Sequence, residues 1–87
     1  MSITVELTYD MAKALGERRF CLEGVRTLAE VLHLTRQHFE TRDLDFDQLT
    51  RVTGIVVNGV LIHHKQGLGT PLQDGDRVGF MKAAAGG

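Results

Sequence analysis

The side chains able to do chemistry in this chain fall into a few small groups. Asp43, Asp45 and Asp47 have the spacing of the first ligands of a calcium-binding loop, but Gln48 stands where that loop needs glycine and Gly54 where it needs a bidentate glutamate. A solvated acidic loop is the expected reading. His63 and His64 are adjacent, so in a continuing strand they point to opposite faces and do not share a metal. His33 and His38 are poorly spaced to share a helix face, and read as surface or flanking residues. Cys21 could carry an acyl or sulfur group, yet Phe20 and Leu22 on either side place it in mid-strand, where a free thiol is ordinarily a small inert side chain. Gly67-Leu68-Gly69 lacks the glycine pattern and the Lys-Ser/Thr of a phosphate loop. What remains is the end of the sequence, Ala83-Ala84-Ala85-Gly86-Gly87. No side chain there exceeds a methyl group, and glycine lets a backbone approach a catalytic surface without a clash. Taken alone it reads either as a frayed end or cloning remnant, or as a thin tail that threads a partner enzyme and presents the Gly87 carboxylate for activation.

Size and composition narrow the choice. A chain of 87 residues with 43% hydrophobic residues makes one domain, and a domain this small buries only about 60% of the surface its unfolded form exposes. One modest core is possible, with little left for a deep catalytic cleft, so an enzyme with a self-sufficient active site is not expected. The single cysteine excludes a disulfide framework, a Cys-rich zinc site and a Cys-held iron–sulfur cluster, and fits a reducing compartment. No apolar run approaches a membrane span, and Met1-Ser2-Ile3-Thr4 does not open a signal peptide, so the expectation is a soluble cytoplasmic protein. Ten basic and eleven acidic residues are interspersed, leaving no cationic stripe for a nucleic acid. Neither a bound cofactor nor a resident metal is expected.

The elements that must position the tail follow from periodicity. Ile3, Val5, Leu7 and Tyr9 alternate with polar residues and predict a first strand. Asp10 to Gly16 interrupts it, and Arg18 to Leu22 returns as the second strand of an antiparallel hairpin, ended by Gly24. Thr27 and Glu30 form a capping box, and Leu28, Val31, Leu32, Thr35 and Phe39 make the apolar stripe of a helix running to about Glu40. Thr41 to Val52 reads as a loop, with at most one helical turn, that tucks Leu44, Phe46 and Leu49 under a sheet. Two apolar runs around Asn58-Gly59 predict a tight hairpin with a type I′ turn. A loop from Lys65 to Pro71 leads to a turn, Leu72 to Asp76, and a last strand, Arg77 to Met81. The order is close to ββαβββ, with no internal repeat.

This ordered set resembles the sulfur-carrier proteins of the MoaD and ThiS family over essentially the whole chain. The residues that carry the resemblance are the Val57-Asn58-Gly59 hairpin, the Leu72-Gln73-Asp74-Gly75-Asp76-Arg77-Val78 turn and strand, and the terminal Gly86-Gly87. It implies an α+β, ubiquitin-like β-grasp domain over residues 1–81, with a mixed four- to five-stranded sheet, one main helix packed on one face, and a flexible tail over 82–87. It also implies that a partner adenylating enzyme of the MoeB or ThiF type uses ATP to activate the Gly87 carboxylate. Sulfur then replaces AMP to give a thiocarboxylate, and Gly86 provides slim access.

The family docks partners through an apolar patch on the open face of its sheet. By position Leu61 and Met81 match patch residues, with Phe80 and Ala85 beside them, and the matching first-strand position is Thr8. The strand pattern alone leaves Leu61 and Met81 equally open to being sheet core. The stretch from Thr41 to Val52 favours a MoaD-like role, donating sulfur in molybdopterin formation with a synthase subunit such as MoaE. Against it, Phe80-Met81-Lys82-Ala83 lacks the two prolines that precede the MoaD ending, the loop from Gly59 to Leu72 is longer than in MoaD, and an Ala-Gly-Gly ending also occurs in carriers for thiamin or cysteine. Two further classes share the fold: a protein modifier conjugated through Gly87, and a plain interaction domain whose tail is idle.

Overall fold

The computed structural model describes residues 1–62 and 67–82. Ile3 and Val5 point to one side and are fully buried, while Ser2, Thr4 and Glu6 point to the other, which makes β1 (Ser2–Glu6). The alternation predicted through Tyr9 stops early. Thr8 accepts a hydrogen bond from the Met11 amide at 3.2 Å and caps a helix, α1 (Tyr9–Leu15), so Tyr9 is 77% exposed and faces no core. The helical signal is only Met11 and Leu15, the two buried residues of α1, and Gly16 closes the helix in the left-handed region at φ 87. The chain then returns as β2 (Arg19–Glu23), antiparallel to β1, with Thr4 opposite Cys21.

Thr27 starts the main helix, α2 (Leu28–Glu40), as its sequence predicts. The Glu30 amide donates to Thr27 Oγ1 at 3.3 Å, and Glu30 Oε1 accepts from the Thr27 amide at 3.0 Å. Thr27→Ala removes one acceptor for an otherwise orphaned amide, so urea unfolding should report a loss of about 1 kcal/mol. Leu28, Val31, Thr35 and Phe39 form the buried stripe of α2. Thr35 Oγ1 is buried with no hydrogen-bond partner among the described residues. Thr35→Val keeps the shape and removes the stranded hydroxyl, and is expected to stabilise the fold by about 1 kcal/mol, raising the melting temperature by roughly 4–8 °C. A lower melting temperature would mean that the hydroxyl has a partner.

The segment after α2 makes one short turn of helix, α3 (Phe46–Leu49), capped by the Asp45 carboxylate, which accepts from the Gln48 amide at 3.1 Å. Phe46 is pinned from several sides. Its ring lies 5.5 Å from Phe39 and edge-on to Phe80 at 5.9 Å, with the Arg36 guanidinium 5.1 Å above it. Leu44 and Leu49 pack against the same core. Then come β3 (Thr53–Val57), β4 (Val60–Ile62) and β5 (Arg77–Lys82). Between β3 and β4, Asn58 (φ 50) and Gly59 (φ 84) both have positive φ, as a type I′ turn requires.

The five strands form one mixed sheet in the order β2-β1-β5-β3-β4, with β1 and β5 parallel and every other pair antiparallel. Ile3, Val5, Ile55, Val78 and Phe80 face α2, and with Met11, Leu15, Val25, Leu28, Val31, Phe39, Phe46 and Leu72 they make a single core. Among the described residues, α1, not predicted from the sequence, and α3, the single helical turn expected within Thr41 to Val52, complete this β-grasp arrangement.

Candidate functional site

The face of the sheet turned away from α2 follows from the strand registers. Val56 lies opposite Leu61 on one side and Gly79 on the other, and Gly54 lies opposite Met81. Leu61 and Met81 therefore stand on the same face of the sheet, 66% and 56% exposed. Two glycines keep the floor between them low. A Cβ on Gly54 would come within 2.9 Å of Leu61 Cδ1, so the Leu61 side chain lies over the space a residue larger than glycine would fill. A Cβ on Gly79 would meet Val56 Cγ2 at 3.0 Å. Leu61, Val56 and Met81 thus form an apolar strip resting on main chain, with Val60 also exposed at the β4 edge.

Two residues assigned to this patch from the sequence do not belong to it. Phe80 is only 8% exposed, because it alternates with Met81 along β5 and points to the helix side against Phe46. Thr8 is past the end of β1 and caps α1, so it is no first-strand counterpart of Leu61 and Met81. Ala85, Gly86 and Gly87 lie outside the described residues, as do His63 and His64. β5 continues through Lys82, one residue beyond the strand predicted.

The two most distinctive motifs form one hydrogen-bonded unit. Asn58, at the β3–β4 turn, donates its side-chain amide to Asp76 Oδ1 at 3.0 Å and accepts the Arg77 amide at 2.9 Å. Its main-chain amide donates to the Arg77 carbonyl at 2.8 Å. Asp76 Oδ2 accepts from the Gln73 amide at 2.7 Å, closing the turn around Gly75 (φ 88), while Asp74 Oδ1 accepts from the Ser2 amide at 2.7 Å. Separately in sequence these motifs look like two turns. In space they fix where β5 begins, and hence where Met81 stands on the sheet.

The Gln73 amide, and after it the Asn58 side chain, hold the Asp76 carboxyl below its ordinary value of 3.8. A depressed folded-state value contributes stability above the unfolded-state value and loses it as pH falls through the folded one. Acid unfolding of the wild type is therefore expected to steepen below about pH 3.8, and Asp76→Asn should flatten that limb while lowering stability at neutral pH. Chemical denaturation at a series of pH values checks both; parallel curves for the two proteins would remove Asp76 from the account.

The remaining sequence candidates have structural tasks. Asp47 accepts from Arg36 Nη2 at 2.7 Å and Asp45 caps α3. His38 Nε2 lies 3.0 Å from Glu17 Oε2, with its ring 4.7 Å from that of Phe20, tying the β2 side of the fold to the end of α2. Cys21 is exposed on the open face, with Sγ 3.9 Å from Thr4 Oγ1. Among the described residues no cluster of His, Cys, Asp and Glu could hold a metal ion, and no helix is long and apolar enough to cross a membrane.

The domain is a β-grasp body with an exposed apolar strip on the open face of its sheet. The model of the ThiS family matches residues 7–87, and the chain belongs to this family of small ubiquitin-like sulfur carriers, which are not enzymes themselves. No curated protein matches the chain. Among solved structures it is similar to a chain of the complex of subunits 1 and 2 of molybdopterin-converting factor from Helicobacter pylori, with 25% identity, 100% of both chains covered and a TM-score of 0.67. It is also similar to the small archaeal modifier protein 1 of Methanosarcina acetivorans, at 25% identity, with 99% and 96% of the two chains covered and a TM-score of 0.67. Urm1 from Trypanosoma brucei shares 26% identity over 99% and 95% of the two chains, with a TM-score of 0.66.

Proposed function

We propose that this chain carries sulfur as a thiocarboxylate on Gly87. A partner adenylating enzyme of the MoeB or ThiF type supplies ATP and the catalytic groups. A Gly87 carboxylate oxygen attacks the α-phosphorus and pyrophosphate leaves. The resulting acyl adenylate is attackable where the carboxylate was not, and hydrosulfide from a sulfur source attacks its carbonyl carbon and displaces AMP, leaving the thiocarboxylate. Gly86 gives the carbonyl carbon unhindered access, and Leu61 and Met81 provide the docking strip. The observation that carries this reading is that the family match extends through Gly87, on a domain whose exposed Met81 lies on the strand leading to that tail, with exposed Leu61 on the same face of the sheet.

The likeness to a chain of the molybdopterin-converting-factor complex favours donation to a synthase subunit such as MoaE, in molybdopterin formation. The likeness to a small archaeal modifier supports a second reading, conjugation through Gly87 to lysines of other proteins, which begins from the same adenylate. Intact mass spectrometry after incubation with an adenylating enzyme, ATP and a sulfur source separates them. Exchange of one oxygen for sulfur on the free chain supports the carrier, whereas a ladder of conjugates in cells supports the modifier. A chain that gains neither would reduce the protein to an interaction domain.

A further inference from the structure

The sheet ends at β4 on one side and at β2 on the other, and among the described residues no strand pairs with the outer edge of β2. The β1–β2 register determines which groups line that edge. The Leu7 amide donates to the Arg18 carbonyl at 3.0 Å and the Gly24 amide to the Met1 carbonyl at 3.1 Å. In an antiparallel pair such bonded positions alternate, so Phe20 and Leu22 also turn their main-chain groups toward β1. The N–H and C=O groups of Arg19, Cys21 and Glu23 therefore point outward. Their side chains stand together on the open face, all exposed.

We propose that β2 pairs with β2 of a second copy of this chain, antiparallel, across a two-fold axis at Cys21. In that register each Arg19 lies opposite Glu23 of the other copy, Cys21 lies opposite its own counterpart, and each of these pairs exchanges two main-chain hydrogen bonds. Other registers that use the same outward groups fit worse. An axis at Phe20 sets Glu23 against Glu17, and an axis at Leu22 sets Arg19 against Val25. Parallel pairing in register stacks Arg19 on Arg19. Charges on an edge strand ordinarily deter pairing. Here the two are of opposite sign and equidistant from Cys21, so they repel a parallel neighbour and match an antiparallel copy. Glu6 stands across β1 from Arg19 on the same face, but no ion pair joins them among the described residues. The opposite edge, β4, has three uncharged residues and no such symmetry. Contact through the β2 edge leaves Leu61 on the opposite edge strand and Met81 on the central strand uncovered, so both copies remain open to a docking partner.

Sedimentation equilibrium of the full chain under reducing conditions should show an apparent mass rising with concentration from 9.6 kDa toward twice that value. Arg19→Glu and Glu23→Arg, each of which makes both symmetric pairs repulsive, should weaken self-association about tenfold. The double variant, in which the charges are exchanged, should restore it, and that restoration also shows that the substitutions preserve folding. With a single cysteine in the chain, a short bis-maleimide should join Cys21 to Cys21 in the wild type and the double variant, and much less in either single variant. A mass of 9.6 kDa at every concentration overturns the proposal. So does association unchanged in the single variants, as a contact through β4 or the docking face would give, or a double variant as weak as the singles.

Discussion

Extending the chain by one alanine beyond Gly87 is expected to lower sulfur loading by at least about 100-fold, because the acceptor carbon is then displaced by a full residue from the partner's reacting groups. Cys21 lies on the open face of the sheet at the β2 edge, and among the described residues the buried core runs from Ile3 to Phe80. Thermal unfolding of the extended chain should therefore match the wild type while the mass shift on activation disappears. Gly86→Val, which leaves the carboxylate in register but adds a branched side chain beside it, should give an intermediate loss. If the extended chain loads at the wild-type rate, Gly87 is not the carrier position and the proposed chemistry is wrong.

The second large effect is expected at the docking strip. Leu61→Asp combined with Met81→Asp places two carboxylates where an apolar partner surface must close, and should weaken binding to the adenylating enzyme by roughly 100-fold, in line with truncation or charging of central interface anchors. Both side chains are exposed, so stability should change by no more than about 0.5 kcal/mol each. Gly54→Ala is the more delicate probe. Its methyl group would displace Leu61 Cδ1, now 2.9 Å from that position, and so tilts the strip without altering its polarity. Titration calorimetry with the three proteins would grade them. Wild-type affinity in the double variant would move the interface elsewhere.

How much of this was legible in the sequence depended on whether a local signal sufficed. The α2 start was readable because Thr27 and Glu30 satisfy each other's backbone within one turn, and the β3–β4 hairpin because Asn58 and Gly59 tolerate the φ values the turn demands. Helix α1 was not, because its seven residues contain a single buried pair, Met11 and Leu15, and the alternation from Ile3 extends by coincidence through Leu7 to Tyr9. Phe80 was misassigned for a related reason. Adjacent apolar residues at the end of a strand fit either face, and only the pairing of Gly54 with Met81 decides that Phe80 turns inward. The hydrogen bonds from Asn58 to Asp76 span 18 positions, a distance at which residue type announces a turn but not its partner.

The place of β5 in the sheet bears on when, as well as how, this chain becomes recognisable. The last described strand lies at the centre, parallel to the first, and joins the β2–β1 pair to the β3–β4 pair. A nascent chain still lacking Arg77 to Lys82 has two separate hairpins and neither Val78 nor Phe80 to cover α2. Pairing of residues so far apart in sequence is slow and must await synthesis of nearly the whole chain. Because Met81 sits on that same strand, a ribosome-bound or truncated chain displays no complete docking strip. Folding itself thus acts as a checkpoint: an activating enzyme that reads the strip would engage the tail only once the body carrying it is finished.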